Sequence, residues 1–524
     1  MITALFLFAS PGKTAENLWQ LAQENADTLR FSTLFTAQDM RNLLSKPEGV
    51  EQALQWCRDT AVTQVYMESF RDGYTAEKET LKYAKKKFEE AGMLVSGCIT
   101  TTDLGRKSVN GWRFPCFTDP QSLETLEQSF RYAAELFDEI MIDDFYATSC
   151  ECEDCVKAKG EKSWADFRCD LLVEVARKHI IEPAREVNPR VQLIIKYPQW
   201  YDSFHDNGYE IVRETEMFDT IWVGTETRDP DNKEWGGKAQ YEAYFIMRWL
   251  SKVGGEKTGG GWFDPYGTTE HTYLEQARQT VLAGAKEAML FCYGSLLEGT
   301  GPENIKALRK EIPQLFELAE LIKNKPIRGI HAPKPPNSPA DGDQYIYDFI
   351  GMLGLPLVPD DEVRSDVQAA FLSYHSLKDD KLEEKLKTLA EKKIPILATS
   401  NLKNNLPEDL QASLNEALVL EVPADKWDLM NLREGQLHAI QEAMLQPFQI
   451  TFKAPSRIAL YLYEDDLTVI ENFNDTEVTV QYKNNASGNS GVSVTSQGSV
   501  SMRMVDQLAH ITISPRSMVI IKHN

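Results

Sequence analysis

The chain has 524 residues, 42% of them hydrophobic and 26% charged, with a formal net charge of −23 at pH 7. That length accommodates roughly two to four domains, and the acidic excess argues against a nucleic-acid or anionic-membrane partner, each of which needs clustered Lys and Arg. No apolar run approaches the roughly 20 residues that span a bilayer, so no membrane partner is expected.

Ile2 to Ser10 (ITALFLFAS) is a short apolar run closed by Pro11-Gly12. It reads as the remnant of a secretory h-region or as a first strand. A better first strand follows, which tilts the expectation towards export, with a cytoplasmic protein as the alternative. Residues 1–30 are set aside as an N-terminal segment. From there the chain alternates strand-like and helix-like segments. The strand signals are Phe31 to Thr36, Gln64 to Phe70, Met93 to Thr101, Glu139 to Phe145, Val191 to Pro198, Asp219 to Thr227, Gly260 to Tyr266 and Glu287 to Gly294. Amphipathic helices such as Gln121 to Leu136 lie between them. Eight such units over residues 31–326 predict a closed (β/α)8 TIM barrel, whose strands are buried on both faces and read as near-continuous apolar runs. An open doubly wound sheet fits less well, because no Gly-rich phosphate turn follows any of these strands.

The fourth strand carries the densest chemistry. Glu139 to Cys155 reads EIMIDDFYATSCECEDC: an apolar strand, the pair Asp143-Asp144, then a Cys-x-Cys-x-x-Cys cluster. Such spacing lets thiolates converge on one tetrahedral ion, whereas disulfide frameworks spread their cysteines through a small domain. Structural zinc on Cys150, Cys152 and Cys155 is expected, with reduced or disulfide-paired cysteines as the alternative. Cys116, in the loop WRFPCFTDP before the helix that leads into strand four, is the natural fourth ligand, and Cys169 its competitor. Acids at the mouth of a barrel are candidate catalytic groups, although aspartates also cap turns.

Further candidates fall at predicted strand ends. Glu68 and Arg71 close strand two (MESFRDGY), Lys196 lies near the end of strand five with Trp200 and Tyr201 after it, and Glu226 closes strand six (Gly-Thr-Glu). Strand seven contributes Trp262 and Asp264. Trp112 and Trp235 belong to loops expected on the same face. Flat aromatic surfaces and bidentate polar groups together are what a sugar site requires, so Glu68, Arg71, Lys196, Trp200, Tyr201 and Trp262 are read as substrate-binding.

Ile327 to Ala340 (IRGIHAPKPPNSPA) reads as a Pro-rich linker. Tyr345 to Leu357, Val367 to Ser373 and Ile394 to Thr399 are strand signals of a small three-layer α/β domain over residues 341–425. From Phe448 the pattern becomes alternating and Asn/Gly/Ser-punctuated, predicting an antiparallel β-sandwich over residues 446–524.

The order barrel, α/β domain, β-sandwich, with Cys116 before strand four and Cys150, Cys152 and Cys155 after it, resembles the family 42 glycoside hydrolases, the β-galactosidases. The resemblance implies a carbohydrate-active enzyme with its site at the barrel mouth, structural zinc at the rim, no organic cofactor, and an amidotransferase-like middle domain that serves homo-oligomerisation. A working amidotransferase needs a cysteine nucleophile, and no cysteine lies beyond Cys292. That family carries Asn-Glu at the end of strand four and Glu at the end of strand seven. Here those positions hold Asp143-Asp144 and Asp264. Transfer by position makes Asp144 the general acid/base and Asp264 the nucleophile. A second assignment, by analogy with α-glycosidases that pair acids of strands four and six, makes Asp143 or Asp144 the nucleophile and Glu226 the acid, with Lys196 supplying a cation. The expected function is a glycoside hydrolase acting on a carbohydrate. The alternative is a non-catalytic carbohydrate-binding barrel, in which these acids would be consumed in salt bridges with Lys196, Arg71 or Arg228.

Overall fold

The computed structural model describes residues 15–110, 113–464, 467–486, 492–496 and 500–523. The apolar run Ile2 to Ser10 and Trp112 lie outside the described residues. Eight parallel strands close on themselves: β1 (Arg30–Phe35), β2 (Val62–Arg71), β3 (Leu94–Ile99), β4 (Glu139–Ile142), β5 (Gln192–Tyr197), β6 (Thr220–Gly224), β7 (Thr258–Phe263) and β8 (Glu287–Leu290). Pairing of β1 with both β2 and β8 completes the ring. All eight strand signals fall on a barrel strand.

The barrel interior receives one side chain from each strand in turn: Leu34, Tyr66, Cys98, Met141, Ile194, Trp222, Trp262 and Met289 belong to one buried cluster. Two indoles in so narrow a space need room from the neighbouring backbone. The glycine run of β7 provides it, since a Cβ on Gly260 would lie 2.8 Å from the Trp222 ring. Among the described residues, no helix is long and apolar enough to cross a membrane.

The described residues divide into two compact units, one containing the barrel up to Gly237 with Val253–Leu321, the other containing Lys238–Lys252 and everything from Ile322 onward. In the second unit a five-stranded parallel sheet comprises β9 (Ile330–Pro333), β10 (Leu357–Asp360), β11 (Ala370–Leu372), β12 (Ile396–Thr399) and β13 (Leu418–Leu420), ordered β10-β9-β11-β12-β13. Two expectations are corrected here. Ile330–Pro333, read as linker, is an inner strand; its prolines sit at the strand's end or beyond it, where a missing donor costs no ladder bond. Tyr345 to Leu357, read as strand, is mainly the helix Ile346–Gly351, all of whose residues are buried. An apolar run buried on every side has no period to distinguish the two.

The C-terminal strands are β14 (Ile450–Lys453), β15 (Ile458–Tyr463), β16 (Leu467–Asn472), β17 (Val478–Asn484), β18 (Val492–Ser496), β19 (Val500–Val505), β20 (Leu508–Ile513) and β21 (Ser517–His523). They form two antiparallel sheets, β15-β16-β21-β18, extended at its β15 edge by Ile327–Arg328, and β14-β17-β20-β19. Thr468 of one meets the Tyr482 hydroxyl of the other at 2.9 Å. β17 and β20 alternate in burial as a half-covered sheet should, whereas β15 and β16 are buried throughout.

Candidate active site

The carboxyl ends of the barrel strands surround a cavity of about 410 Å³. Its floor is an ionic network whose members come from five strands. Arg71, closing β2, donates to Asp143 Oδ2 at 3.1 Å and to Glu68 Oε1 at 3.2 Å. Thr100, just beyond β3, holds its hydroxyl between the same two carboxyls, 2.9 Å from Asp143 Oδ2 and in a short contact with Glu68. One hydroxyl hydrogen is thus shared between two carboxyls, an arrangement that a proton on either of them would ease. Burial, augmented by the charge of Asp143, lifts Glu68 to about 7, against the pull of Arg71. Burial and the adjacent Asp144 lift Asp143 to about 6.

Lys196 of β5 is completely buried. Its ammonium donates to Asp144 Oδ2 at 2.9 Å and to Glu226 Oε1 at 2.7 Å, and sits 4.0 Å from the centre of the Trp262 ring. The two acids respond in opposite directions. Burial would raise Asp144, but the Lys196 ammonium and its hydrogen bond hold the carboxyl below the ordinary aspartate range. Glu226 is lifted to about 7, because its burial and the charge of Asp144 outweigh the same ammonium. Glu226 Oε2 is buried with no hydrogen-bond partner. Gly224 makes room for that oxygen, which would lie 2.4 Å from a Cβ there.

Asp264, after β7, is held differently. Arg228 grips both its oxygens, Nε to Oδ1 at 2.9 Å and Nη2 to Oδ2 at 2.5 Å, and the Tyr266 amide donates to Oδ1 at 3.2 Å. Both oxygens of this carboxylate are thus already engaged and its orientation is fixed.

Asp143, Asp144, Glu226, Asp264, Arg71, Trp200 and Trp262 all face the cavity. Glu68 and Tyr201 are buried behind its wall, and Lys196 lies beneath its floor, so none of these three, read as substrate-binding, lines the cavity. Sequence reasoning missed Thr100, Phe114, Tyr266 and Phe291. Each lies at or just after a strand end or in a strand-to-helix loop of the mouth, a signal that could have found them. Phe114 and Trp200 form one aromatic wall, with ring centres 6.2 Å apart; Trp235 and Tyr266 form another, 5.8 Å apart.

Cys116, Cys150, Cys152 and Cys155 converge beside the mouth, their sulfurs all within 4.8 Å of one another, and could hold a metal ion. Cys116 Sγ lies 3.8 Å from Cys152 and 3.7 Å from Cys155. A tetrahedron with Zn–S bonds of about 2.3 Å has edges of about 3.8 Å, so the donor set fits that ion. The Arg106 guanidinium, 3.4 Å from Cys116 Sγ, is placed to offset thiolate charge. Cys169 stands apart, its thiol directed at the His205 carbonyl at 3.6 Å.

Over residues 15–339 the chain matches a family described as probable glycosyl hydrolase, catalytic domain, and over residues 449–518 the corresponding C-terminal domain. An uncharacterised protein of Saccharolobus solfataricus is 25% identical over 370 residues, which is 63% of this chain and 59% of that protein's length. Among solved structures, an α-L-fucosidase isoenzyme from Paenibacillus thiaminolyticus aligns with a TM-score of 0.65 at 10% identity, covering 95% of this chain and 99% of that one. A family 42 β-galactosidase aligns at 0.61, also at 10% identity, covering 95% and 98%. At such identity the likeness is one of fold.

Proposed function

This chain belongs to the probable glycosyl hydrolase family, and on that footing we propose that it hydrolyses glycosidic bonds with Asp144 as nucleophile and Glu226 as general acid/base. One observation carries this reading: two carboxyls on a single buried ammonium, facing one cavity, with protonation preferences driven apart. Their near oxygens are separated by no more than the sum of the two Lys196 distances. This bounds only the Lys196-bound oxygens, and it is compatible with the short carboxyl spacing of a retaining enzyme.

The Glu226 carboxyl delivers its proton to the glycosidic oxygen as the bond to the anomeric carbon breaks, while an Asp144 oxygen bonds to that carbon. Water then attacks the glycosyl ester, giving its proton to the Glu226 carboxylate and releasing Asp144. Lys196 keeps Asp144 ionised before it attacks and favours its departure as a carboxylate in the second step. Asp143 and Arg71 offer an acceptor and donors for sugar hydroxyls, and the edges of the Trp262 and Phe291 rings, stacked on each other 4.6 Å apart, offer an apolar surface beside them. The replacement of the family 42 glutamates leaves β-galactosidase specificity as one option beside α-glycosidase chemistry. We assign the four cysteines to structural zinc, which when bound would brace the loop after β4, and the parallel sheet β9–β13 to subunit association.

A binding barrel remains the second reading, because Asp143, Asp144, Glu226 and Asp264 are all ion-paired. A panel of aryl α- and β-glycosides and natural glycans separates the two. Turnover that is lost in Asp144→Asn supports the hydrolase. Silence across the panel, with glycan binding intact in the variant, supports the binding barrel.

A further inference from the structure

Trp235 is 42% exposed at the cavity mouth, yet its loop is tethered at several points. Asn232 Oδ1 accepts from the amides of Glu234 at 3.0 Å and Trp235 at 2.8 Å. The Trp235 carbonyl accepts from Arg228 Nη1 at 3.2 Å, and the Asp229 amide donates to the Gly267 carbonyl at 3.2 Å. Gln276, on the helix Glu270–Leu282, accepts from the Arg228 amide at 3.2 Å and donates to the Asp264 carbonyl at 3.0 Å, so one buried side chain joins the loops after β6 and β7. Arg228 itself holds a left-handed backbone, φ 63°, a conformation non-glycine residues adopt only when their surroundings impose it. So many bonds spent on presenting one indole to solvent mark a preorganised platform and not a stray surface residue.

The position of that platform relative to the acid defines what it would meet. Glu226 and Trp235 lie on the same loop, and Arg228 between them in sequence stands 5.6 Å from the Trp235 ring centre while gripping Asp264. Resting on the assignment of Glu226 as proton donor, we infer that Trp235 is the platform for the leaving group. It would stack a sugar ring or aryl aglycone whose glycosidic oxygen is thereby held at the Glu226 carboxyl. The Trp262 and Phe291 edges, deeper in the cavity, are left to the sugar that is transferred to Asp144. Discrimination between aglycones then resides at Trp235 and discrimination between glycones at the buried floor.

The test compares two substrates that share a glycone, the 4-nitrophenyl glycoside and the glycosyl fluoride of a sugar the wild-type enzyme hydrolyses. Fluoride offers nothing to stack. In Trp235→Ala the ratio of kcat/KM for the aryl glycoside to that for the fluoride falls on the order of five- to tenfold, the scale of one aromatic contact. Trp235→Phe, which keeps a ring, retains most of the ratio. An unchanged ratio in Trp235→Ala, alongside normal wild-type turnover, overturns the platform and leaves the hydrolase standing. A wild-type protein that turns over neither compound removes the hydrolase reading, and this inference with it.

Discussion

Replacing Glu226 by Gln removes one proton and little else, because the amide keeps the side chain's volume and an oxygen for the Lys196 ammonium 2.7 Å away. The loss should therefore report proton donation. Substrates whose leaving group must be protonated, such as oligosaccharides, should lose about 10²- to 10⁴-fold in kcat/KM, the usual worth of a positioned acid. Aryl glycosides with strongly acidic phenols need no such help and should lose much less. The pH profile offers a second check. With Glu226 lifted to about 7, the wild-type kcat/KM should bend downward near pH 7 and fall about tenfold for each further unit, since only about a tenth of the acid stays protonated one unit above its pKa. That limb should vanish in Glu226→Gln. Initial rates on a series of aryl glycosides from pH 4 to 9 measure both effects. Equal losses for good and poor leaving groups, or a persisting alkaline limb, would refute the assignment.

Lys196→Met deletes the cation that both acids share, so Asp144 and Glu226 should each hold protons to higher pH. The acidic limb of kcat/KM, which lies below the ordinary aspartate range in the wild type, should move upward, and an unmoved limb would contradict Lys196 as the group that ionises Asp144. At the other end of the barrel, burial raises Glu287 to about 7 from an ordinary 4.5. A raised folded-state pKa favours folding fully below the unfolded value and loses that benefit as pH rises through 7. Stability to urea should therefore decline across this window by about 3 kcal/mol from Glu287 alone, and Glu287→Gln should flatten the decline; an equally steep decline in the variant would contradict it. Elemental analysis should find about one zinc per chain, and stripping it with chelator should lower the melting temperature. A metal-free protein that is equally stable contradicts the zinc assignment.

The barrel was legible because parallel strands buried on both faces read as apolar runs, whatever residues follow them. The C-terminal sheets were legible from their turn chemistry. The middle sheet was not: His331, Ala332 and Pro333 form an inner strand inside a Pro-rich stretch, and Tyr347 to Ile350, apolar in every direction, folds as helix. For the site, strand ends supplied the right acids but not their partners. Asp144, Lys196 and Glu226 are separated by 52 and 30 positions, and only the parallel pairing of β4 with β5 and β5 with β6 brings them onto one ammonium. The same closure sets Arg228 against Asp264, engaging both oxygens of the other candidate nucleophile. It also buries Glu68 and Tyr201, which their sequence neighbours place at the mouth.

Everything proposed for the site depends on Asp144 forming the covalent bond to sugar. A 2-deoxy-2-fluoro glycosyl fluoride of an accepted sugar slows the breakdown of such an ester enough to detect it by mass spectrometry of the intact and digested protein. One label per chain, on the peptide that contains Asp144 and absent from Asp144→Asn, is the predicted result. A label on the peptide that contains Asp264, or turnover of a normal glycoside with no labelling anywhere, would contradict it.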